Sequence, residues 1–437
     1  MTRRRGPNRT AAVLPMVAML VCLAGCGRRR VPRTADVPTL PSYTPGIFAD
    51  INPKWAHDGD RIAFLRNTPD RKLQLFIVDT DLERPLALLE AELVSPDRPY
   101  ASETMRYCSP DTLAWSSDDR LLAFERAEWF TFEDGDRIPG TGLWAFDTLS
   151  GISRPLAVHP GHYTSYFYYY HTPEWSPDGR YLAFVGEGIN GQRRIFIHPL
   201  KGQKPTSAAS RYDQYDDSDW PTWRPPSNNG SAVNSRPVLA LRQGVKRGLL
   251  APPTETMRVF SPGDASQATC RQIVRVPAKS FYSIAGEPQP KGERVSPRTG
   301  AITWSPDGEQ IAYTLTPSAR DYSRYELWVV NADGSDARRV SPRNGRGYIA
   351  PVWIGNNRLG ALSPAGNKFD VVILPVRSDL ADVTKIGTIG GSDCDWSPDR
   401  SQVVWAGPPQ YRSPDPDEPT TLHIFTTGIT VRRGSYR

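Results

Sequence analysis

Between residues 50 and 430 the apolar positions fall in short runs bounded by Gly, Pro, Asp and Asn, as at 75–78, 143–146, 195–197, 257–260, 327–330, 371–374 and 422–425. Short β-branched or aromatic runs with turn residues between them predict antiparallel strands joined by tight connections, and no long amphipathic pattern predicts a helix. Each run follows a tryptophan: Trp55, Trp115, Trp175, Trp223, Trp304, Trp353 and Trp396, spaced by 60, 60, 48, 81, 49 and 43 residues. Self-similarity at such a period is the mark of a repeat architecture.

The repeat has an internal grammar. Eight residues after the tryptophan stands Ala63, Ala123, Ala183, Ala312, Ala361 or Val404, and the next position is Phe64, Phe124, Phe184, Tyr313, Leu362 or Trp405. A small residue followed by a bulky one at constant offset is a packing rule. The fourth unit departs from it through an insertion at 225–235, with Val238-Leu239-Ala240-Leu241 as the displaced equivalent.

After Trp175, Trp304 and Trp396 the chain reads Ser-Pro-Asp-Gly or Ser-Pro-Asp-Arg. There proline presets φ, aspartate can accept backbone N–H bonds, and glycine takes a positive φ without steric cost. Tryptophan and turn are therefore scaffold. Units of this length, each with room for four strands, fit radial blades better than a solenoid, because one small sheet must bury both faces against its neighbours. The expected fold is all-β, a β-propeller of about seven four-stranded blades over 47–430. Six or eight blades stay open, since the long fourth unit could hide one and a terminal unit could be partial.

These units resemble the WD-like repeats of the TolB family, most closely in AITWSPDGEQIAYTL and ELWVVNADGSDARRV within 301–340. The resemblance implies a propeller in the cell envelope. It does not carry over TolB's separate N-terminal α/β domain, for which the stretch between Cys26 and the first blade leaves no room.

The N-terminus changes the picture of location. Arg3, Arg4, Arg5 and Arg9 precede an apolar run at 11–23 that is too short to span a bilayer, which predicts an export signal over 1–25. It ends in Leu23-Ala24-Gly25-Cys26, which resembles the lipoprotein box. On that reading Cys26 carries diacylglycerol and becomes the mature N-terminus, 26–46 is a Pro-rich tether, and the protein is extracytoplasmic and membrane-anchored. No other cofactor is expected.

The net charge of +6 does not mark a nucleic-acid binder. Eight arginines lie within residues 1–33, where there is no acid, and the remaining 45 basic residues face 47 acidic ones. Once Cys22 and Cys26 are set aside, Cys108, Cys270 and Cys394 remain, so one disulfide at most can form.

No Gly-x-Ser-x-Gly elbow, His-Glu-x-x-His pair or phosphate loop appears. The loops entering each innermost strand hold Asp50, Asp111, Tyr169, Tyr170, His171, Asp217, Asp219, Arg298 and Tyr348. They predict an acidic, aromatic channel mouth suited to a basic peptide, a cation or a sugar face. His159, His162 and His171 form an alternative constellation that could hold a transition metal for glycan lysis. The acidic stretches 133–136 and 213–219 lack the EF-hand spacing for calcium. The leading expectation is a monomeric binding or scaffold module for an envelope protein or glycan.

Overall fold

A computed structural model describes residues 49–67, 73–83, 86–91, 113–131, 137–157, 167–188, 193–200, 206–207, 216–226, 237–245, 254–260, 271–276, 298–316, 325–342, 344–377, 382–391, 393–407 and 421–429. Cys26, Asp111, His159, His162, Cys108, Cys270, the signal and the tether lie outside these residues. Among the described residues all regular structure is β, in seven antiparallel sheets, six of four strands and the last of three. Strands follow one another in chain order within every sheet.

The first strand of each sheet carries the repeat tryptophan: Ala49–Trp55, Leu113–Trp115, Phe167–Trp175, Asp216–Trp223, Arg298–Trp304, Ile349–Ile354 and Cys394–Trp396. All seven indoles are 2–7% exposed. Apolar clusters fill every interface between consecutive sheets, and a seventh cluster joins the last sheet to the first through Val404 with Trp55, Ile62 and Phe64. The last sheet therefore meets the first by side-chain packing and not by a shared strand among the described residues, since no described strand from the start of the chain joins it.

The packing rule follows from this geometry. The small residue of a sheet faces the next sheet's tryptophan, so Ala63 meets Trp115, Ala183 meets Trp223 and Ala312 meets Trp353 in shared clusters. Its bulky neighbour turns to the preceding sheet, as Phe64 does toward Val404 and Tyr313 toward Met257. Ala240 and Leu241 take these places in the fourth sheet, as the displaced equivalents should.

The sixth unit needs a correction. Trp353 pairs with Leu359, six residues on, whereas Trp304 pairs with Ile311, seven on. A hairpin shorter by one residue flips every following side chain to the other face. Gly360 is thus the small residue here, not Ala361. A Cβ placed on it would stand 2.9 Å from Cζ2 of Trp396.

The turns do as expected and add a serine. Asp178 and Asp307 accept backbone N–H bonds from Arg180 and Glu309, each at 3.0 Å. The serine hydroxyl donates to that aspartate while accepting the N–H five residues on, as Ser176 does with Asp178 at 2.6 Å and Tyr181 at 2.9 Å. Gly179 and Gly308 hold φ of 65° and 70°.

Candidate functional site

Successive first strands are joined by the indoles. The Nε1–H of Trp115, Trp175, Trp223, Trp304 and Trp353 donates at 2.9–3.1 Å to the carbonyl just before the preceding tryptophan, that is to Lys54, Ala114, Glu174, Thr222 and Thr303. These bonds make the first strands the inner ring. The joint between the last and first sheets is built differently. Trp55 Nε1 is buried without a partner. Instead Asp393 Oδ2 accepts the Asn52 N–H at 2.7 Å and Asp395 Oδ2 the Trp55 N–H at 2.8 Å.

At the entry end of the inner strands the expected mouth residues that are described sit on strands, except Tyr348, which lies in the loop just before its strand. Tyr169, Tyr170 and His171 pair with Glu187, Gly186 and Val185, Asp217 and Asp219 with Gly244 and Arg242, and Arg298 with Thr316. Five of the seven first strands extend further back than their apolar pattern suggests, because a bulge of two residues interrupts them shortly before the tryptophan. Asn52, Thr172 and Ala350 take positive φ at these bulges. None is glycine; the mark the bulge leaves in the sequence is a proline two residues before the tryptophan, at Pro53, Pro173, Pro221 and Pro351.

Two of the residues are not open to a ligand. Asp50 is 2% exposed and bound by both Nε and Nη2 of Arg66, at 2.6 and 3.0 Å. Burial pushes its carboxyl above 3.8 despite that guanidinium, which also lies 4.8 Å over the Phe76 ring. Tyr348 is 1% exposed, and its hydroxyl accepts from Asn344 Nδ2 at 2.8 Å. Both are struts of the first and sixth sheets.

At the opposite end the Ser-Pro-Asp-Gly turns meet in pairs. Where glycine is replaced, the new side chain bonds the preceding sheet. Asp119, at φ 53°, accepts the N–H groups of His57 and Asp58 and lies 2.7 Å from His57 Nδ1. Arg400, at φ 64°, donates to the Trp353 carbonyl.

Burial lowers the His57 pKa, but the hydrogen bond and charge of Asp119, helped by Glu174 and Asp395, hold it above 6.5. Burial likewise raises Asp119, and the bonds from His57 and Asp58 outweigh it to hold it below 3.8. The raised imidazole stabilises fully below 6.5 and loses this as pH climbs through its folded value; the depressed carboxylate stabilises above 3.8 and loses this as pH falls. The pair should therefore contribute most between about pH 4 and 6.5, by about 1 kcal/mol or less for so exposed an imidazole. Urea midpoints from pH 3 to 9 should lose their alkaline decline in His57→Gln. An unchanged profile would remove the pair from the stability of this joint.

A polar groove of about 630 Å³ opens at the same end, across the fourth, fifth and sixth sheets, lined among others by Arg224, Glu309, Asn357 and Arg377. The sequence motifs did not point to it. The signal that could have done so is the coincidence of two irregular repeats on either side of a regular one. Among the described residues no group of His, Cys, Asp and Glu is arranged to hold a metal.

No family model matches the chain. Dipeptidyl-peptidase 5 of Porphyromonas endodontalis is 28% identical over 167 residues, which are 36% of this chain and 22% of that protein. The β-propeller domain of the Trilobed protease from Pyrococcus furiosus, described as having an open velcro topology, aligns over 87% of this chain and 95% of its own at 13% identity and TM-score 0.52. The chain has a β-propeller fold. A puromycin-hydrolysing peptidase of Mycobacterium tuberculosis matches with TM-score 0.54 and 15% identity over 87% of this chain, which covers 51% of the peptidase chain. TolB from Acinetobacter baumannii aligns over 75% of this chain and 66% of its own at 17% identity and TM-score 0.38, too loose to add to the comparison.

Proposed function

We propose that this propeller is a binding module of the cell envelope, seven-bladed and attached to a membrane through a lipid on Cys26, with a protein or glycan as its partner. The observation that carries the reading is the fate of the repeated residues. Tryptophan, serine and aspartate of the motif are committed to packing and bonds within the scaffold, so recognition falls to the unrepeated residues at the two ends of the inner strands. Fixed loop and strand-end residues on a rigid ring are the usual carriers of binding. The peptidase neighbours share the fold at 13–15% identity, and what they hydrolyse stays with them.

The attachment is tested by Cys26→Ser. Acyl labelling should disappear and the protein should leave the membrane fraction; retention of both would overturn the anchor. The partner is sought in the same cells with a photocrosslinking residue in place of Tyr170 or Asp217. A discrete adduct to an envelope protein or glycan is expected, and the absence of any adduct at both positions would rule out the mouth as the binding surface.

A further inference from the structure

The two units that break the repeat, the fourth and the sixth, flank the fifth, which keeps it in full, and the groove lies where they meet. Its floor is the fifth turn, Asp307 to Gln310, with Asn331 and Asp333 of the next hairpin. One wall is Arg224, which reaches over that turn to Glu309 at 2.9 Å and would collide with any Cβ on Gly308. The other wall is the shortened sixth hairpin with Asn356 and Asn357, and Arg377 beyond it. Asn356 makes one long contact across the joint, accepting the Asp307 N–H at 3.3 Å. Asp119 and Arg400 clasp their joints with shorter bonds, whereas this cleft stays open.

Its size lies within the range of small-ligand pockets, but its lining does not resemble theirs, since Ala332 is the one apolar residue among the described residues that line it. Amide, carboxylate and guanidinium groups each present two adjacent hydrogen-bonding atoms in a plane, the spacing that two neighbouring hydroxyls of a pyranose ring can satisfy. Two arginines face three carboxylates, and Arg224 already serves Glu309, so the slight negative excess disfavours an anionic chain. The exposed side chains of Asn357 and Arg377 make no hydrogen bond or ion pair among the described residues, which leaves them available.

We infer that this groove binds a neutral, hydroxyl-rich oligosaccharide. The inference rests on the binding-module reading and moves the glycan from the channel mouth to the turn end. Calorimetric titration of the full-length protein with maltotriose, cellotriose and N,N′,N″-triacetylchitotriose tests it, with tri-lysine and trigalacturonate as charged comparators. At least one neutral trisaccharide should bind, with the Kd weakened tenfold or more in Asn357→Leu and in Arg377→Ala and unchanged in His57→Ala, across the ring on the same end. Both substitutions are at exposed positions, and an unaltered melting temperature shows that the fold survives them.

No binding by any neutral trisaccharide, equal binding by the variants, or a charged comparator as the ligand that Asn357→Leu weakens would overturn the inference. Failure here would leave crosslinking at Tyr170 or Asp217 standing, so the two readings fall separately.

Discussion

Trp353→Ala should lower the free energy of unfolding by about 3–5 kcal/mol, the cost of emptying a large buried aromatic site. Trp353 is 2% exposed and packs with Ala312, Leu359 and Val372, so the cavity would open at the joint of the fifth and sixth sheets. The indole N–H can be separated from the packing with phenylalanine. Trp353→Phe strands the Thr303 carbonyl and should cost about 1–3 kcal/mol, while Trp55→Phe removes a donor that has no partner and should cost at least about 1 kcal/mol less. Urea unfolding of the two phenylalanine variants decides it. Equal losses would mean that the indole bonds between sheets contribute nothing.

The second large effect belongs to the joint of the last and first sheets. Asp393→Ala with Asp395→Ala should destabilise by about 1–3 kcal/mol for each N–H left without its acceptor, because both lie in a packed joint. Asp395 also stands 3.7 Å from Lys54 Nζ, a partly exposed pair that adds little. Hydrogen exchange should place the loss. Amides of 49–67 and 393–407 should lose protection before those of the third to fifth sheets, since this joint lacks the indole bond that five others have. Uniform loss around the ring would show that the joint is no weaker than the rest.

This joint also shows how far the repeat could be read. Val404 stands where other sheets place alanine or glycine against the next tryptophan, and the sequence shows that substitution openly. Its consequence was hidden. Nothing local indicates that Trp55 ends without a partner, or that two aspartates of the last unit accept from the first strand more than 300 residues away.

That the expected channel-mouth residues stand at the starts of the inner strands could be read from the repeat, but not what surrounds them. Asp50 and Tyr348 look like exposed polar residues before a strand. Their burial depends on Arg66 and Asn344, which only pairing and packing bring to them. The groove was less legible still, because its walls come from units some 150 residues apart and each wall is individually an ordinary polar turn.

The sequence by itself determined the repeat, the strands, the turn chemistry and the all-β class. Each of these depends on contacts within a few residues or on a pattern copied seven times, and a copied pattern survives local noise. The tertiary structure decided which face Gly360 and Ala361 occupy, how the ring is closed, and where open polar surface is left. Those outcomes depend on a one-residue change in hairpin length and on pairings between distant sheets, and strand geometry turns a single-residue shift into a reversal of every side chain that follows.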